Sequence, residues 1–324
     1  MGVGVPRARV AEIQRSRLLA AAVGAIDEHG YAAASVGQIA ARARVSRRTF
    51  YDMFASRDEC VVAVLDDALA QVQRELAVAG VEGSVWRERV RVGLWVILSF
   101  LDRDPALARL CVVHAAQGGP QVLGRREAIL TRLAAAVDEG RRESARAQQV
   151  GALTAEGLVG AAFMILQGRL QRDARGPLQG LLGELMGMIV LPYLGAVAAQ
   201  RERARALPAS LPVPPREPVG AVRWDPLVEV PMRLTYRTAR VLETIAELGR
   251  RGVHPSNREV ADHAGIHDAG QVSKLLERLQ RLGLLANSGG GRQKGEPNAW
   301  ALTAKGERVA QSIHMHASNQ RRVA

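Results

Sequence analysis

The chain has 324 residues, 44 of them Lys or Arg against 32 Asp or Glu, for a formal charge of +12. An apolar content of 48% excludes a disordered chain, and the length suits two or three domains at about 100–200 residues each. Two cysteines, Cys60 and Cys111, exclude a disulfide framework and a thiolate zinc site, while the positive charge favours an anionic partner, nucleic acid or an acidic membrane surface.

Further classes fall away on inspection. The longest stretch without a charge, residues 185–200, is short for a membrane helix and contains Pro192. The apolar run at 18–26 is followed at once by Asp27-Glu28 and preceded by Glu12, unlike a secretory signal. A soluble protein of a reducing, cytoplasmic compartment is the expectation. There is no GxSxG, no HExxH and no nucleophile–base cluster, so no enzyme is expected. Residues 1–58 carry a net +4, residues 59–222 +2 and residues 223–324 +6, so the charge gathers at the two ends.

In chain order, a first helix is predicted over 13–29, broken at Gly30-Tyr31. Ser35 then reads as the N-cap of a short helix with Val36, Ile39 and Ala40 inward. Ala43-Arg44-Val45 makes a tight turn. Ser46 caps a second short helix whose Phe50 and Phe54 point to the core, leaving Arg47, Arg48, Thr49 and Tyr51 outward. That is the arrangement of a helix–turn–helix, in which one helix braces and the next enters the major groove.

The pattern resembles the DNA-binding domain of the TetR family over residues 10–65. The matching residues are Ser35 with Ile39-Ala40, Val45-Ser46, Thr49, Phe50-Tyr51, Phe54 and Arg57-Asp58. Two positions depart from it: Arg44 stands where the family usually has glycine, and Met53 where it often has histidine or tyrosine. The resemblance implies a domain at 1–60 that contacts DNA through Ser35, Arg44, Ser46, Arg47, Arg48, Thr49, Tyr51 and Arg57. It also implies an all-α effector-binding and dimerisation domain at 61–205.

Within that middle region, Trp86, Val90, Leu94 and Ile97 fall on one helical stripe, with Trp95 and Phe100 displaced from it. Two further stripes, at 159–170 and 181–189, lie where the family builds a two-fold interface, with Gly160, Ala161, Gly183 and Gly187 allowing close approach. Trp86, Trp95, Phe100 and Met164 are the candidate lining of an apolar effector pocket; ordinary core is the alternative for each. Cys111 and His114 lie one turn apart, but two ligands do not complete a metal site, so no metal or cofactor is expected.

Residues 206–231 hold seven of the 14 prolines and read as a semi-rigid linker, with Trp224 a possible docking point. Beyond it, residues 232–312 resemble a winged-helix domain similar in outline to the MarR family, followed by a tail at 313–324. Helices are predicted over 235–250, 258–263 and 269–282, with Gly283 closing the third. Leu284-Leu285-Ala286 and residues 298–302 would pair as a hairpin. Lys274, Arg278 and Arg281 share an outward face; Gln271 and Ser273 add polar groups, and Arg292 and Lys294 sit on the wing tip. His263 and His267 read as surface or turn residues.

The expected fold class is therefore mainly all-α: a helix–turn–helix with a helical regulatory domain, plus a winged helix with a small hairpin. The expected function is a homodimeric, sequence-specific, repressor-type regulator of transcription. It would bind a double-stranded DNA operator, respond to an apolar small molecule, and contact DNA a second time through Gln271, Ser273, Lys274, Arg278, Arg292 and Lys294. The alternative is that the C-terminal domain docks a protein or regulates the rest.

Overall fold

The computed structural model describes residues 7–80, 84–143, 147–172, 176–208, 233–289 and 297–319, with main chain only at Arg9, Ala269 and 314–319. The linker from 209, Trp224, Arg292 and Lys294 lie outside the described residues. The fold is predominantly helical with one small antiparallel hairpin. The chain divides into two compact units. A terminal unit comprises residues 1–17, 43–46 and 221–324; a central unit comprises 18–42 and 47–220.

The first helix, α1 (Arg7–Ala33), is longer than predicted and runs across a non-helical Gly30 at φ 78°. Its residues through Arg17 belong to the terminal unit and those from Leu18 to the central unit. Then come α2 (Val36–Arg42), α3 (Arg47–Tyr51) and α4 (Arg57–Ala79). Ser56 caps α4 by accepting from Glu59 N, and Asp58 and Glu59 in its first turn complement the helix dipole.

The body of the central unit is built from α5 (Trp86–Arg103), α6 (Pro105–Val112), α7 (Pro120–Asp138), α8 (Thr154–Gln171), α9 (Leu182–Leu194) and α10 (Ala196–Ala204). The face predicted for α5 is displaced. Arg91, Trp95, Val96, Leu98 and Phe100 are buried with Trp86, while Val90, Leu94 and Ile97 are half-buried. The cause is Arg91, 2% exposed, which meets Glu202 at 3.0 Å and donates to the carbonyls of Arg205 (3.2 Å) and Ala206 (2.9 Å). A buried cation is tolerated only when paired and hydrogen-bonded in this way. Gly183 and Gly187 do allow close approach, but to Arg203 of the same chain: a Cβ on Gly183 would lie 2.9 Å from the Arg203 carbonyl oxygen.

In the terminal unit, α11 (Tyr236–Arg250), α12 (Asn257–Ala264) and α13 (Ala269–Arg281) precede β1 (Leu285–Gly289), β2 (Ala299–Leu302) and α14 (Ala304–Asn319). The strands pair antiparallel with Leu285 opposite Leu302, and the register shifts between Asn287 and Gly289. Gly283, at φ 70°, closes α13 as predicted. The core joins Ala239, Leu242 and Ile245 to Val260, Leu276, Leu279 and Trp300. Val10 and Ile13, both 3% exposed, belong to this same core, and Gln14 Nε2 donates to Leu234 O at 2.8 Å. Burying such side chains stabilises by roughly 1.5–3 kcal/mol each. The first half of α1 is thus an integral part of a unit whose other elements lie more than 200 residues away in sequence.

Candidate nucleic-acid interface

The N-terminal element starts at a reciprocal cap. Ser35 Oγ accepts from Gln38 N at 3.3 Å, and Gln38 Oε1 accepts from Ser35 N at 2.7 Å. Two otherwise orphaned donors are satisfied, which fixes where α2 begins. The turn after α2 places Arg44 at φ 55°, the one non-glycine residue with positive φ among the described residues. An L-residue there costs about 1–2 kcal/mol, so the departure from glycine at this position is strained.

On α3, Phe50 is buried and stacks edge-on with Tyr51 at 5.5 Å, while Phe54 packs against Phe50 at 5.7 Å. Those contacts turn the other side of α3 outward. Arg47 and Arg48 are exposed, Tyr51 is 57% exposed, and Ser46 and Thr49 are half-buried. The Arg47 guanidinium lies over Gly37, where a Cβ would meet Nη2 at 2.6 Å. A glycine at that point leaves room for the arginine.

Arg57, predicted to contact DNA, is half-buried beside the end of α1. Its Nη1 donates to Tyr31 O (2.7 Å) and Ala34 O (2.8 Å), and its guanidinium stacks on the Tyr31 ring at 4.5 Å. Its Nη1 serves the end of α1. The Tyr31 hydroxyl in turn donates to Asp58 Oδ1 at 2.7 Å, and Asp58 Oδ2 accepts from Gly119 N at 3.1 Å. Burial, then the Asp58 carboxylate, raises the Tyr31 pKa and keeps the hydroxyl a donor. Asp27 and Arg109 form a two-pronged pair at 2.5 and 2.9 Å, and that hydrogen bonding holds the Asp27 carboxyl below its usual range. These contacts tie α1 and α4, which flank the helix–turn–helix, to α6 and to the start of α7. They were not predictable from spacing, because partners such as Asp27 and Arg109 are 82 residues apart.

The second predicted element starts from a full capping box: Ser256 Oγ accepts from Glu259 N and Glu259 Oε2 accepts from Ser256 N. The Ser256 backbone contact holds the Glu259 carboxyl below its usual range. Gly265 turns the chain at φ 67°. Gln271, Lys274 and Arg278 are exposed on α13. Ser273 is half-buried, and its Oγ accepts from Asn257 Nδ2 at 2.9 Å. Asn257 also accepts from Trp300 Nε1 (2.6 Å) and Asn298 Nδ2 (3.0 Å), so one amide joins α12, α13 and β2. Nothing in the sequence pattern marks Asn257 for that role.

The four residues proposed for an effector pocket do not converge. Trp86 donates to Ala136 O at 3.0 Å and packs against Tyr193, Trp95 is buried elsewhere on α5, and Met164 is 68% exposed. Phe100 alone lines the apolar cavity of the central unit, a space of about 120 Å³ bounded also by Leu69, Ile97, Leu133 and Phe163. Arg126 borders the cavity, its guanidinium 5.8 Å from the Phe163 ring centre and its buried Nε without a hydrogen-bond partner among the described residues. Cys111 lines it too, and burial pushes that thiol up to about 12. Leu65, Leu69 and Val72 of α4 form one wall, so the helix that starts beside Tyr31 and Ala34 runs past this cavity at its middle.

Residues 18–64 match the family model described as bacterial regulatory proteins, tetR family. The matched span contains α2, α3 and the start of α4. No curated protein matches the chain. Among solved structures, the chain is similar to the fatty acid degradation regulator FadR of Bacillus halodurans, with 19% identity, 54% of this chain and 96% of that chain covered, and a TM-score of 0.48. It is also similar to FadR of Bacillus subtilis, crystallised with stearoyl-CoA (19%, 55% and 97%, 0.47), and to a TetR-like regulator of Rhodococcus sp. RHA1 (24%, 55% and 94%, 0.46). Each likeness covers little more than half of this chain. Among the described residues no helix is long and apolar enough to cross a membrane.

Proposed function

We propose that this protein is a homodimeric, sequence-specific DNA-binding regulator of transcription, of repressor type, controlled by a small-molecule effector. The observation that carries the reading is the outward face of α3, with Arg47, Arg48 and Tyr51 exposed on a helix–turn–helix that also matches the tetR family model. Arginine forks suit guanine edges and phosphates, and the tyrosine hydroxyl suits a phosphate. A two-fold dimer would place two such helices on a pseudo-palindromic site, with half-sites about one helical turn or a multiple of it apart.

Support for the dimer comes from α8. Gly157, Gly160, Met164 and Ile165 are exposed there, an apolar face with small residues at helical spacing. Support for the effector comes from the cavity beside α4. Its walls are apolar and Arg126 supplies a cation at its border, which favours an apolar molecule bearing an anionic group. Such a ligand acts by its differential affinity for the two placements of α4, and through α4 on the helix–turn–helix.

We extend the reading to the terminal unit, whose helices α11–α13, hairpin and exposed Lys274 and Arg278 suit a winged helix that contacts DNA. Selection of bound sequences from random duplex DNA by the full chain tests the proposal. Enrichment of an inverted repeat supports it; recovery of unenriched DNA at all salt concentrations sinks it. Because Val10 and Ile13 are core to the terminal unit, point variants serve better than truncation for assigning roles.

A further inference from the structure

The terminal unit contains a concavity of about 370 Å³ between the start of α11 and the outward face of α13. Arg233, Arg237, Lys274 and Arg278 line it, with Thr235 and Gln271 between them. All four basic side chains are exposed, and none is in an ion pair among the described residues. Their neighbours along α11 differ: Arg240 lies 3.7 Å from Glu243, and Arg251 lies 2.6 Å from Glu247. Asp268 caps α13, its carboxylate accepting from Gln271 N at 3.0 Å, and does not line the concavity. Gln271 Oε1 also accepts from Arg237, which ties one wall of the concavity to the other.

Four like charges in one hollow repel one another, and an anion relieves that repulsion. A group with more than one oxygen and more than one contact direction fits best. Arginine forks bind phosphate oxygens in pairs, lysine adds a point charge, and the Gln271 amide adds a neutral donor. We propose that this concavity is a phosphate-binding site and that its phosphate comes from the DNA backbone. The site adds Arg233, Arg237 and Thr235, which precede or open α11, to the α13 residues read from the sequence. The inference rests on the reading that the terminal unit contacts DNA, and a free polyphosphate is the other source of the same chemistry.

The test uses full-length protein and two readouts. One is the dependence of non-specific duplex affinity on salt; the other is the shift in melting temperature on adding inorganic tripolyphosphate. The cleft variant is Arg237→Ala with Lys274→Ala, backed by Arg233→Glu with Arg278→Glu; Arg250→Ala with Arg251→Ala is the control, and Arg292→Ala with Lys294→Ala probes the wing. Far-UV circular dichroism checks that each folds. The cleft variant should reduce the slope of log K against log salt by about 1–2, as loss of one or two phosphate contacts does. It should also lose the tripolyphosphate shift, with the control unchanged in both. If the wing variant lowers the slope while neither cleft variant does, DNA contact by this unit stands and the site is overturned. If no variant lowers the slope but the cleft variant loses the tripolyphosphate shift, the DNA reading fails and the site takes free polyphosphate. Cleft variants identical to wild type in both readouts, with a flat response to the wing variant, overturn both.

Discussion

The chain contains two short helix pairs of similar plan, α2–α3 and α12–α13, and they are held in different ways. Both start from a serine cap closed three residues later, by Gln38 in one and Glu259 in the other. Both turn through a left-handed residue, but that residue is Arg44 at φ 55° in the first and Gly265 at φ 67° in the second. The first is braced by charged and aromatic contacts to α1, through Arg57 and Tyr31. The second is braced by the Asn257 amide, by apolar side chains that include Val10 and Ile13, and by two arginines of α11, Arg240 donating to His263 O and Arg237 to Gln271 Oε1. Cap and turn define the plan; the surroundings decide how much strain each pair tolerates. A strained arginine in the first turn also adds a positive charge next to the proposed reading helix, which gives the strain a use.

The largest effect expected is at Ile13. Replacing Ile13 with Ala should lower the stability of the terminal unit by about 2–4 kcal/mol, the usual cost of emptying a buried isoleucine site. Hydrogen exchange along α11–α13 would read it; protection unchanged there would mean that the first half of α1 is not part of that core. Next, Asn257→Ala should cost about 2–3 kcal/mol, because Trp300 Nε1 and Asn298 lose their acceptor in a partly buried setting. Denaturant melts monitored by tryptophan fluorescence would show it.

The turns should then respond with opposite signs. Gly265→Ala should destabilise by about 1–2 kcal/mol, whereas Arg44→Gly should stabilise by up to about 1 kcal/mol after the added freedom of glycine in the unfolded chain is counted. The same Arg44→Gly change should weaken operator binding. Equal signs would mean that the two turns tolerate a side chain alike.

The smallest effect expected is a pH dependence confined to the central unit. Burial, and then Arg109, lower the His114 pKa, against the opposing pull of Asp27. The unfolded chain therefore takes up this proton first. Stability should fall as pH drops from 7.5 through the ordinary value near 6.5 and level off below the folded pKa. His114→Gln should flatten that part of the melting-temperature profile, and a variant with an unchanged profile would exclude His114 as its source.

Local features were the legible ones. Ser35, the Ile39–Phe50–Phe54 core positions, the outward Lys274, Arg278 and Arg281 of α13, Gly283 and the hairpin follow from caps, periodicity and glycine, all of which act within a few residues. Partners across long separations were not legible. The inward turn of Arg57 depends on carbonyls of Tyr31 and Ala34 that α1 happens to present. Burial of Arg91, which rotated the α5 face, depends on Glu202, 111 residues away. Spacing does not say against what a helix packs: Val10 and Ile13 fall within the domain predicted at 1–60, yet they belong to the core of the terminal unit. For the same reason the four aromatic and Met residues proposed for a pocket dispersed, while Arg126 and Phe163 came together.

The central claim, that α3 reads DNA sequence, is tested most directly by the ratio of affinities for a selected operator and for a shuffled duplex, measured at fixed salt with full-length protein. Arg47→Ala with Arg48→Ala should lower that ratio at least tenfold, since each arginine contact to a base edge contributes about 1–3 kcal/mol of discrimination. The melting temperature should stay within a degree or two, as exposed substitutions usually leave stability within about 0.5 kcal/mol. A ratio equal to that of the unmodified protein would contradict the account.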